Sequence, residues 1–360
     1  MRVIGIDPGT VTIDLCGLED GRVFLDRSLP TAEALADPAL IAGLLDAAGP
    51  VDLVAGPSGY GLPLTAARDL TDRDLRLAYL APDGEPGGIG GLRTLMRLLA
   101  RTSIPVVLTP GVVHLPSVPP HRKVNRVDMG TADKVCAAAL AVREQADRRG
   151  CREHDVSFIL LELGGAFTAA LAVDRGSIVD GAGGSSGPLG IRAAGALDGE
   201  VAFLAGSVSK GLLFTGGATT IAGAADAASE VIAAPTTAQG CLAWEACIEG
   251  AVKAVKSLAV SAPGACEVII SGRLASIDGV AAELTRRLAA VSAPAVRPLT
   301  GFATVARQAA QGAALIADGL AGGTAATLVA TLGIREASGT VLDHLYVITP
   351  AAARARLGIA

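Results

Sequence analysis

The sequence predicts an α/β protein that consists of two similar halves. Its 360 residues suit two domains of roughly 150–200 residues each. Hydrophobic residues make up 51% of the chain and charged residues 18%, which indicates packed globular domains and not a disordered chain. A unit of strand, glycine turn, strand, glycine turn and strand starts at residue 2 and starts again near residue 156. This repeat predicts one domain over residues 1–150 and a second over residues 151–360.

The first half opens with a three-stranded meander. Asp20-Gly21 lies between two strand-like runs and is a typical hairpin turn. Thr31 is the expected N-cap of the helix that follows. The predicted elements, in chain order, are strands at 2–7, 12–18 and 22–28, a helix at 31–48, a strand at 51–55, a helix at 92–100, a strand at 104–108 and a helix at 133–149.

The second half repeats the meander and adds helices and strands in the same order. A meander followed by a helix and a further strand is the opening of a ribonuclease-H-like fold, so we expect two such domains. The apolar stretch 312–334 contains Asp318 and several glycines, and we interpret it as a buried helix, a turn and a second element rather than a membrane span. The predicted elements are strands at 156–163, 166–173 and 177–179, a helix at 242–260, a strand at 267–270, a helix at 279–290, a strand at 295–297, a helix at 302–320, a strand at 343–348 and a helix at 351–357.

Composition excludes several kinds of function. The net charge is −5 and the longest basic run is His121-Arg122-Lys123, so we expect no nucleic acid as a partner. None of the six cysteines forms a Cys-x-x-Cys pair and the four histidines are scattered, which argues against structural zinc. The start of the chain resembles a strand and no signal peptide, so a reducing, cytoplasmic location is expected. A homodimer would be compatible with the apolar composition.

The first chemical motif is Gly5-Ile6-Asp7-Pro8-Gly9-Thr10-Val11-Thr12. Asp7 ends an apolar strand, at the sheet edge where α/β proteins bind ligands. Gly9 allows a sharp turn whose N–H groups can hold a phosphate, and Thr10 and Thr12 add hydroxyl groups. Asp7 is a candidate catalytic residue and Mg²⁺ ligand, because that ion prefers hard oxygen ligands. The alternative is a plain hairpin with a surface carboxylate.

A second run, Leu161-Glu162-Leu163-Gly164-Gly165-Ala166-Phe167-Thr168, has the same layout. Glu162 occupies the place of Asp7, and Gly164 and Gly165 permit close approach of the backbone to a ligand. Thr168 supplies the hydroxyl group. We expect the two turns to face one another across a cleft and to hold one polyphosphate, with Glu162 as a second metal residue.

A third motif, Val268-Ile269-Ile270-Ser271-Gly272-Arg273-Leu274, is an apolar strand that ends in a glycine turn. Ser271, Gly272 and Arg273 could surround an adenine and a ribose without side-chain clashes. The run that ends in Gly216-Gly217 competes for this role. The helix around 309–314 contains Gly312, which allows close helix packing or a hinge.

Together these motifs resemble those of the superfamily of acetate and sugar kinases, heat-shock ATPases and actin. Residues 5–12 look like its first phosphate motif, 162–168 like its second and 269–273 like its adenosine motif, while 130–139 and 309–314 look like its connecting helices. The resemblance covers the whole chain in the right order. It implies two ribonuclease-H-like domains of the actin-like ATPase type, an interdomain nucleotide cleft, and ATP and Mg²⁺ as cofactors.

Within that superfamily the chain is most similar to a group labelled predicted butyrate kinases. Segments 111–116, 128–134 and 196–200 carry this likeness. It implies catalytic roles for Asp128 and Asp133, as a base or a metal contact, and for Arg192, as a group that neutralises a carboxylate or the transferring phosphoryl group. Capping of the following helix is the alternative role for Asp128. Glu162 departs from the aspartate of many members.

Three functions follow from these features. The first is a kinase that transfers phosphate from ATP to a small-molecule acceptor, for which the resemblance implies a short carboxylic acid. The second is an ATP-driven conformational switch that acts on a partner protein, since actin-like folds support both. The third is a nuclease, because Asp-Pro-Gly also occurs in junction-resolving nucleases of this fold. The duplicated glycine turns and the acidic net charge oppose the nuclease.

Overall fold

The fold, a computed structural model, contains two mixed β-sheets. The structure describes residues 1–82, 84, 89–224, 229–290 and 294–359, and for residues 89–91 it describes the backbone alone. The first sheet has the order β3-β2-β1-β4-β6-β5 and the second the order β11-β10-β7-β8-β9. The strands are β1 Arg2–Pro8, β2 Thr12–Glu19, β3 Arg22–Pro30, β4 Leu53–Pro57, β5 Thr65–Ala66, β6 Val106–Thr109, β7 Phe158–Leu163, β8 Thr168–Asp174, β9 Ser177–Ala182, β10 Glu267–Ser271 and β11 Ala295–Pro298.

The two sheets are built to one plan. In each, an antiparallel meander is followed by a strand that pairs in parallel with the first strand of that meander, β4 with β1 and β10 with β7. The central strands are buried along nearly their whole length, which explains their continuous apolar sequences. The duplication predicted from the sequence, and the two-domain α/β fold that follows from it, are therefore confirmed.

Helices cover the faces of both sheets. Their bounds are α1 Thr31–Ala36, α2 Ala39–Ala47, α3 Asp72–Tyr79, α4 Ile89–Leu99, α5 Pro120–Lys123, α6 Ala132–Arg149, α7 Gly199–Ala205, α8 Ala218–Ile221, α9 Ser229–Ala233, α10 Ala238–Ala259, α11 Val280–Ala289, α12 Gln308–Leu320, α13 Ala326–Thr331 and α14 Pro350–Leu357. In the part of the chain that the structure describes, no helix combines the length and apolar character that a membrane span requires.

Helices α6 and α12 pack against each other at the centre of the molecule. Helix α12 contacts β1, β2 and β4 of the first sheet, and α6 contacts β7 and β8 of the second sheet as well as β4. Two glycines allow this packing: a Cβ on Gly312 would overlap the carbonyl oxygen of Cys136, and one on Gly5 would overlap the backbone of α12. The segment after residue 150 therefore contributes a helix to the first sheet, and the boundary at residue 150 stays a prediction.

Two predicted helices have different bounds in the structure. The helix expected at 31–48 is two helices, because Pro38 cannot continue the first and disfavours helical geometry at Asp37. Thr31 does not cap this helix; its hydroxyl group donates to the carbonyl oxygen of Gly9 at 2.7 Å. The helix expected from residue 302 begins at Gln308.

The predicted strand at 343–348 is wrong. This segment forms turns, and its backbone is held by one side chain instead of by a neighbouring strand. The side-chain oxygen of Asn125 accepts hydrogen bonds from the backbone N–H groups of Tyr346, at 2.7 Å, and Val347, at 3.0 Å. Both side chains are exposed, so the apolar run there does not mark a core strand.

A candidate nucleotide and phosphoryl-transfer cleft

The turn between β1 and β2 is tight. The N–H group of Gly9 donates to the carbonyl oxygen of Asp7 at 3.0 Å, and a Cβ on Gly9 would lie 2.8 Å from the carbonyl oxygen of Thr12. The contact from Thr31 fixes the same turn from the side. Thus only glycine fits at position 9, and the turn carries Thr10 and Val11 at its tip.

The turn between β7 and β8 repeats this geometry. The N–H group of Gly164 donates to the carbonyl oxygen of Phe167 at 2.9 Å, and a Cβ on Gly164 would lie 2.8 Å from that same oxygen. A Cβ on Gly165 would lie 3.2 Å from Cγ2 of Val11 and 3.9 Å from Oγ1 of Thr10. The two hairpin turns therefore face each other at close range, as the sequence predicts.

The third predicted turn lies against the second hairpin. Gly272 has a φ of +88°, and a Cβ there would lie 2.5 Å from the carbonyl oxygen of Leu163. Ser271, at the end of β10, is 2% exposed, and its hydroxyl oxygen has no hydrogen-bond partner in the structure. The turn predicted to bind adenosine thus touches the second hairpin turn, which is predicted to bind phosphate, and one ligand could contact both.

A cavity of about 270 Å³ opens between the three turns and the start of α12. Most of the residues predicted as candidate site residues line it: Asp7, Gly9, Thr10, Thr12, Asp128, Asp133, Glu162, Gly164, Gly165, Ser271, Gly272 and Arg273. Four candidates do not: Thr168, Arg192, Gly216 and Gly217. Thr168 is buried, and its hydroxyl group has no hydrogen-bond partner.

Arg192 and the Gly216-Gly217 turn form a structural unit beside the cleft. The N–H group of Arg192 donates to the carbonyl oxygen of Ala166 at 3.0 Å, and its own carbonyl oxygen accepts from Gly217 at 2.9 Å. The side chain of Arg192 is exposed. The backbone of Arg192 therefore supports the second hairpin, and Gly217 in turn supports Arg192. The catalytic role of Arg192 and the nucleotide-binding roles of Gly216 and Gly217 stay predictions.

Carboxylates converge on the floor of the cleft around one lysine. The ammonium of Lys134 donates to Asp133 at 2.5 Å and to Glu162 at 2.9 Å, which joins the start of α6 to β7. Burial opposes its charge, but the two carboxylates raise the pKa of Lys134 above the ordinary value. Burial alone would raise the pKa of Asp133, yet Lys134 and Thr131 bring that pKa below its usual range.

Asp7 differs from these paired carboxylates. Its side chain makes no hydrogen bond or ion pair with any described residue. Burial raises the pKa of Asp7 well above its usual range, and the Asp133 carboxylate raises it further against the opposing effect of Lys134. Asp14, directly opposite Asp7 in the β1–β2 register, acts in the same direction. Asp7 is therefore a partly buried acid with an excess of negative charge around it.

This charge distribution fits a bound Mg²⁺ ion. A cation beside Asp7 would offset the repulsion that raises its pKa. Within the described ranges, no group of three histidine, cysteine or carboxylate side chains is arranged to hold a metal. Mg²⁺ usually takes one or two carboxylates together with water and substrate phosphates, so Asp7 meets that requirement. Glu162, the second predicted metal residue, is engaged by Lys134.

Asp128 holds a loop beside the cleft. Its Oδ2 accepts from both the backbone N–H and the hydroxyl group of Ser185 at 2.8 Å, and its Oδ1 accepts from the N–H of Gly130 at 3.3 Å. A Cβ on Gly183 would overlap this carboxylate. Asp128 does not cap α6, whose N-cap is Thr131. Its oxygens are occupied, and its role as a base or metal contact stays a prediction.

Aromatic side chains form the wall at one end of the cleft. The rings of Phe167 and Phe214 meet edge to face with centroids 4.8 Å apart, and the ammonium of Lys210 lies 4.8 Å from the ring centre of Tyr60. The second contact joins the two halves. Nothing in the spacing of the sequence motifs identified Phe214 or Lys210 as part of this wall.

Comparison with known proteins agrees with this architecture. A family model described as "Protein of unknown function (DUF1464)" matches residues 5–347, while a search of curated proteins found no match. Among solved structures, the chain is similar to a propionate kinase from Francisella tularensis, with 12% identity and a TM-score of 0.61 over 86% of this chain and 98% of that one. It is also similar to acetate kinase from Entamoeba histolytica, with 11% identity and a TM-score of 0.57 over 83% and 96%. The fold is that of the acetate and sugar kinase superfamily.

Proposed function

We infer that this chain, which belongs to the DUF1464 family of proteins of unknown function, is an ATP-dependent phosphotransferase that acts on a small acceptor. The observation that carries this proposal is the pair of matching glycine turns that face each other above the unpaired carboxylate of Asp7. A polyphosphate needs closely spaced N–H donors and a metal ligand, and we assign these roles to the tips of the two turns and to Asp7. Structural similarity to acetate and propionate kinases supports the same activity.

In this proposal ATP lies with its phosphates between the two hairpins and its adenosine against Gly272. Asp7 would hold Mg²⁺, which, when bound, neutralises charge on the phosphate oxygens. The N–H groups of Gly9 and Gly164 are engaged within their own turns, so in this proposal the tips of the turns, at Thr10 and Gly165, would supply the backbone donors to the phosphates. Closure of the two halves about α6 and α12 would exclude water from the transferring group.

Transfer needs an acceptor oxygen in line with the γ-phosphorus. The acceptor forms a new oxygen–phosphorus bond, the bond from the γ-phosphorus to the bridging β–γ oxygen breaks, and ADP leaves with that electron pair. A hydroxyl acceptor must also lose a proton, whereas a carboxylate is already ionised at neutral pH. A short carboxylic acid would therefore give an acyl phosphate without a general base.

The two carboxylates predicted as candidate bases, Asp128 and Asp133, favour the acid over an alcohol. Asp133 is paired with Lys134 and Thr131, and both oxygens of Asp128 accept hydrogen bonds from neighbouring residues. Neither has an oxygen without a partner for the proton of a hydroxyl group, while Asp7 is assigned to the metal. The aromatic wall of Tyr60, Phe167 and Phe214 adds apolar surface that suits a short alkyl chain.

The test is acceptor-dependent ADP release from Mg·ATP by the purified protein. Acetate, propionate, butyrate and branched short acids are compared with hexoses, and hydroxylamine is added to trap any acyl phosphate as its hydroxamate. The expected result is turnover with at least one short acid together with hydroxamate formation. Turnover with a hexose and no hydroxamate would keep the kinase but refute the acid acceptor.

Two variants separate cleft chemistry from contamination. Asp7→Asn should abolish acceptor-dependent turnover, while Asp46→Asn, which removes an exposed carboxylate on α2, should match the wild type. Phe214→Ala removes one face of the aromatic wall, so we expect a higher KM for the acid with a smaller change in kcat. Equal activity of the wild type and Asp7→Asn would refute the proposed cleft.

An ATP-driven switch is the second candidate, and one observation favours it. Helix α7 exposes Val201, Phe203 and Leu204, with Phe203 79% and Leu204 81% exposed. An apolar surface of this kind suits a partner protein or a second copy of the chain. A switch predicts slow ATP hydrolysis that no small acceptor accelerates, and Phe203→Ser would then change partner binding but leave hydrolysis intact.

A further inference from the structure

Two arginines line the cleft with no anionic side chain bound to them. Arg273 follows the Gly272 turn, and Arg307 immediately precedes α12. Both side chains are partly buried, yet neither guanidinium makes an ion pair or hydrogen bond with any described residue. Burial and the nearby Arg307 lower the pKa of Arg273. Two neighbouring guanidinium groups repel each other, so their proximity indicates a place for an anion.

The surrounding charges leave this anion site positive. Asp14 is the carboxylate that both arginines influence. It is 1% exposed, its Oδ2 accepts from Oγ1 of Thr12 at 3.1 Å, and its Oδ1 has no partner. Glu230 also attracts Arg273, but it is exposed on α9 and does not line the cleft. Two guanidinium groups beside one buried carboxylate give a local positive charge, while Asp7, Asp133 and Glu162 are further acids that line the same cleft.

Arg273 lies close to the place where the two hairpin turns face each other. Nε of Arg273 lies 3.8 Å from the point that a Cβ on Gly165 would occupy, and Oγ1 of Thr10 lies 3.9 Å from that point. The unpartnered hydroxyl group of Ser271 lines the same cavity. Helix α12 begins at Gln308, so its first N–H groups add a positive partial charge beside Arg307.

The loop that carries Arg307 is held by three side chains. Asp26, on β3, accepts from the N–H groups of residues 304, 305 and 306 and from the hydroxyl group of Thr304. Glu144, on α6, accepts from the N–H of residue 301 at 2.7 Å. Gln311 accepts from the N–H of residue 302 at 2.7 Å and donates to the carbonyl oxygen of residue 306 at 2.8 Å. A loop fixed at so many points presents Arg307 in one place.

We propose that Arg273 and Arg307 form a two-arginine clamp for the polyphosphate of the nucleotide, and that Asp26 positions Arg307 for it. The clamp rests on the proposed nucleotide site and adds residues to it. Guanidinium groups bind phosphate oxygens through two parallel N–H donors, which gives both affinity and orientation. In this arrangement backbone N–H groups of the hairpin turns contact the phosphates, and the two guanidinium groups contact them from the side of the Gly272 turn.

The test is calorimetric titration of Mg·ATP, Mg·ADP and adenosine into the wild type, Arg273→Gln and Arg307→Gln. Each variant should weaken both nucleotides by about tenfold or more and leave adenosine binding unchanged, because only the phosphates meet the guanidinium groups. Arg356→Gln, which removes an exposed charge on α14, is the matched control and should bind as the wild type does. The nucleotide affinity of Arg307→Lys should lie between those of the wild type and Arg307→Gln, since lysine keeps the charge but lacks the two parallel N–H donors.

The outcomes separate the clamp from the proposed function. If the wild type binds no nucleotide, the proposed function fails and the clamp fails with it. If the wild type binds both nucleotides and the two glutamine variants bind them equally well, the clamp alone is refuted. Thermal unfolding of each variant is recorded beside the titrations, and Arg307→Lys provides the comparison if Arg307→Gln does not fold.

The positioning role of Asp26 is tested by a double-mutant cycle. Asp26→Ala should weaken Mg·ATP several-fold in the wild-type background and have no further effect in the Arg307→Gln background, because the loop then has no guanidinium to position. A general loss of structure would lower affinity equally in both backgrounds. Additive effects would therefore refute the positioning role and leave the clamp itself standing on the arginine variants.

Discussion

Replacing Asp7 by asparagine should stabilise the protein without ligand and weaken its binding of Mg·ATP. The Asp7 carboxylate makes no hydrogen bond or ion pair with a described residue, so the substitution breaks no polar contact. It removes one negative charge from a buried group that also contains Asp14, Asp133 and Glu162. Stability and binding should thus change in opposite directions, which a general folding defect cannot produce.

The size of the gain follows from the register of the first hairpin. Asp7 and Asp14 are directly opposite on antiparallel strands, which places their Cβ atoms about 5 Å apart. At that separation and an effective dielectric constant of about 20, two carboxylates repel by about 3 kcal/mol. Burial and repulsion from Asp133 act on Asp7 in the same direction and more strongly than Asp14 does, while attraction to Lys134 opposes them. We therefore expect a net gain of about 1–2 kcal/mol in the free energy of unfolding, with a loss of Mg·ATP affinity of at least about tenfold.

The gain should depend on pH in a defined direction. Burial and neighbouring carboxylates raise the pKa of Asp7 in the folded protein, so its contribution to stability is fully present below the ordinary value of 3.8 and is lost as the pH rises through the raised value. Asparagine has no such loss. The difference in thermal unfolding between variant and wild type, measured without metal, should therefore be small near about pH 4 and grow toward about pH 8.

Scanning calorimetry with and without Mg·ATP measures both halves of this prediction. Asp46→Asn serves as the control for removal of a single carboxylate at the surface. A lower melting temperature for Asp7→Asn at neutral pH without ligand would refute the account of the charge cluster. Unchanged stabilisation of the variant by Mg·ATP would refute the assignment of Asp7 to the metal.

Three further substitutions test the packing that forms the cleft. Gly272→Ala should cost about 2 kcal/mol or more, because that residue has a φ of +88° and a Cβ would lie 2.5 Å from a carbonyl oxygen. Lys134→Met should cost about 3–5 kcal/mol at neutral pH, since it leaves two buried carboxylates without their cation, and the cost should shrink as acid protonates them. Gly312→Ala should cost about 2–3 kcal/mol, because its Cβ would overlap the backbone of α6. Urea unfolding measures all three.

The substitutions of Gly272 and Lys134 each have a control on the same chain. Gly49→Ala has a φ of +76° but open space around the new Cβ, so it isolates the backbone penalty of about 1 kcal/mol. Lys253→Met breaks an exposed pair with Glu249, which should be nearly neutral. Equal costs for Gly272→Ala and Gly49→Ala would contradict the close contact between the Gly272 turn and the second hairpin.

The sequence predicts the hairpin turns well because their requirements are local. An apolar strand, an acidic residue and a glycine specify both the turn and the sheet edge where it lies, and the repeat at residue 156 shows that two copies exist. The predicted helix at 31–48 missed the break at Pro38, although that break also has a local cause, since proline ends a helix and restricts the residue before it. These features depend on neighbours in the sequence, so pattern analysis can find them.

Features that depend on distant segments were not readable. Arg307 belongs to none of the sequence motifs. It lies in the cleft because Asp26, which is far away in the sequence, holds the loop that precedes it. The same loop explains why α12 starts later than its apolar pattern suggests. Tyr346 and Val347 have strand-like composition, but a single asparagine side chain takes their backbone donors. Tertiary contacts overrode local preference in each of these places.

The packing of α12 on the first sheet has a consequence for the order of folding. A ribosome releases β1, β2 and β4 long before residues 308–320, so one face of that sheet has no α12 to cover it while the second sheet is being made. The first half therefore reaches its native state only after most of the chain has emerged. Folding of the two halves is coupled through this late helix, and a nascent chain stopped near residue 150 should remain sensitive to proteases.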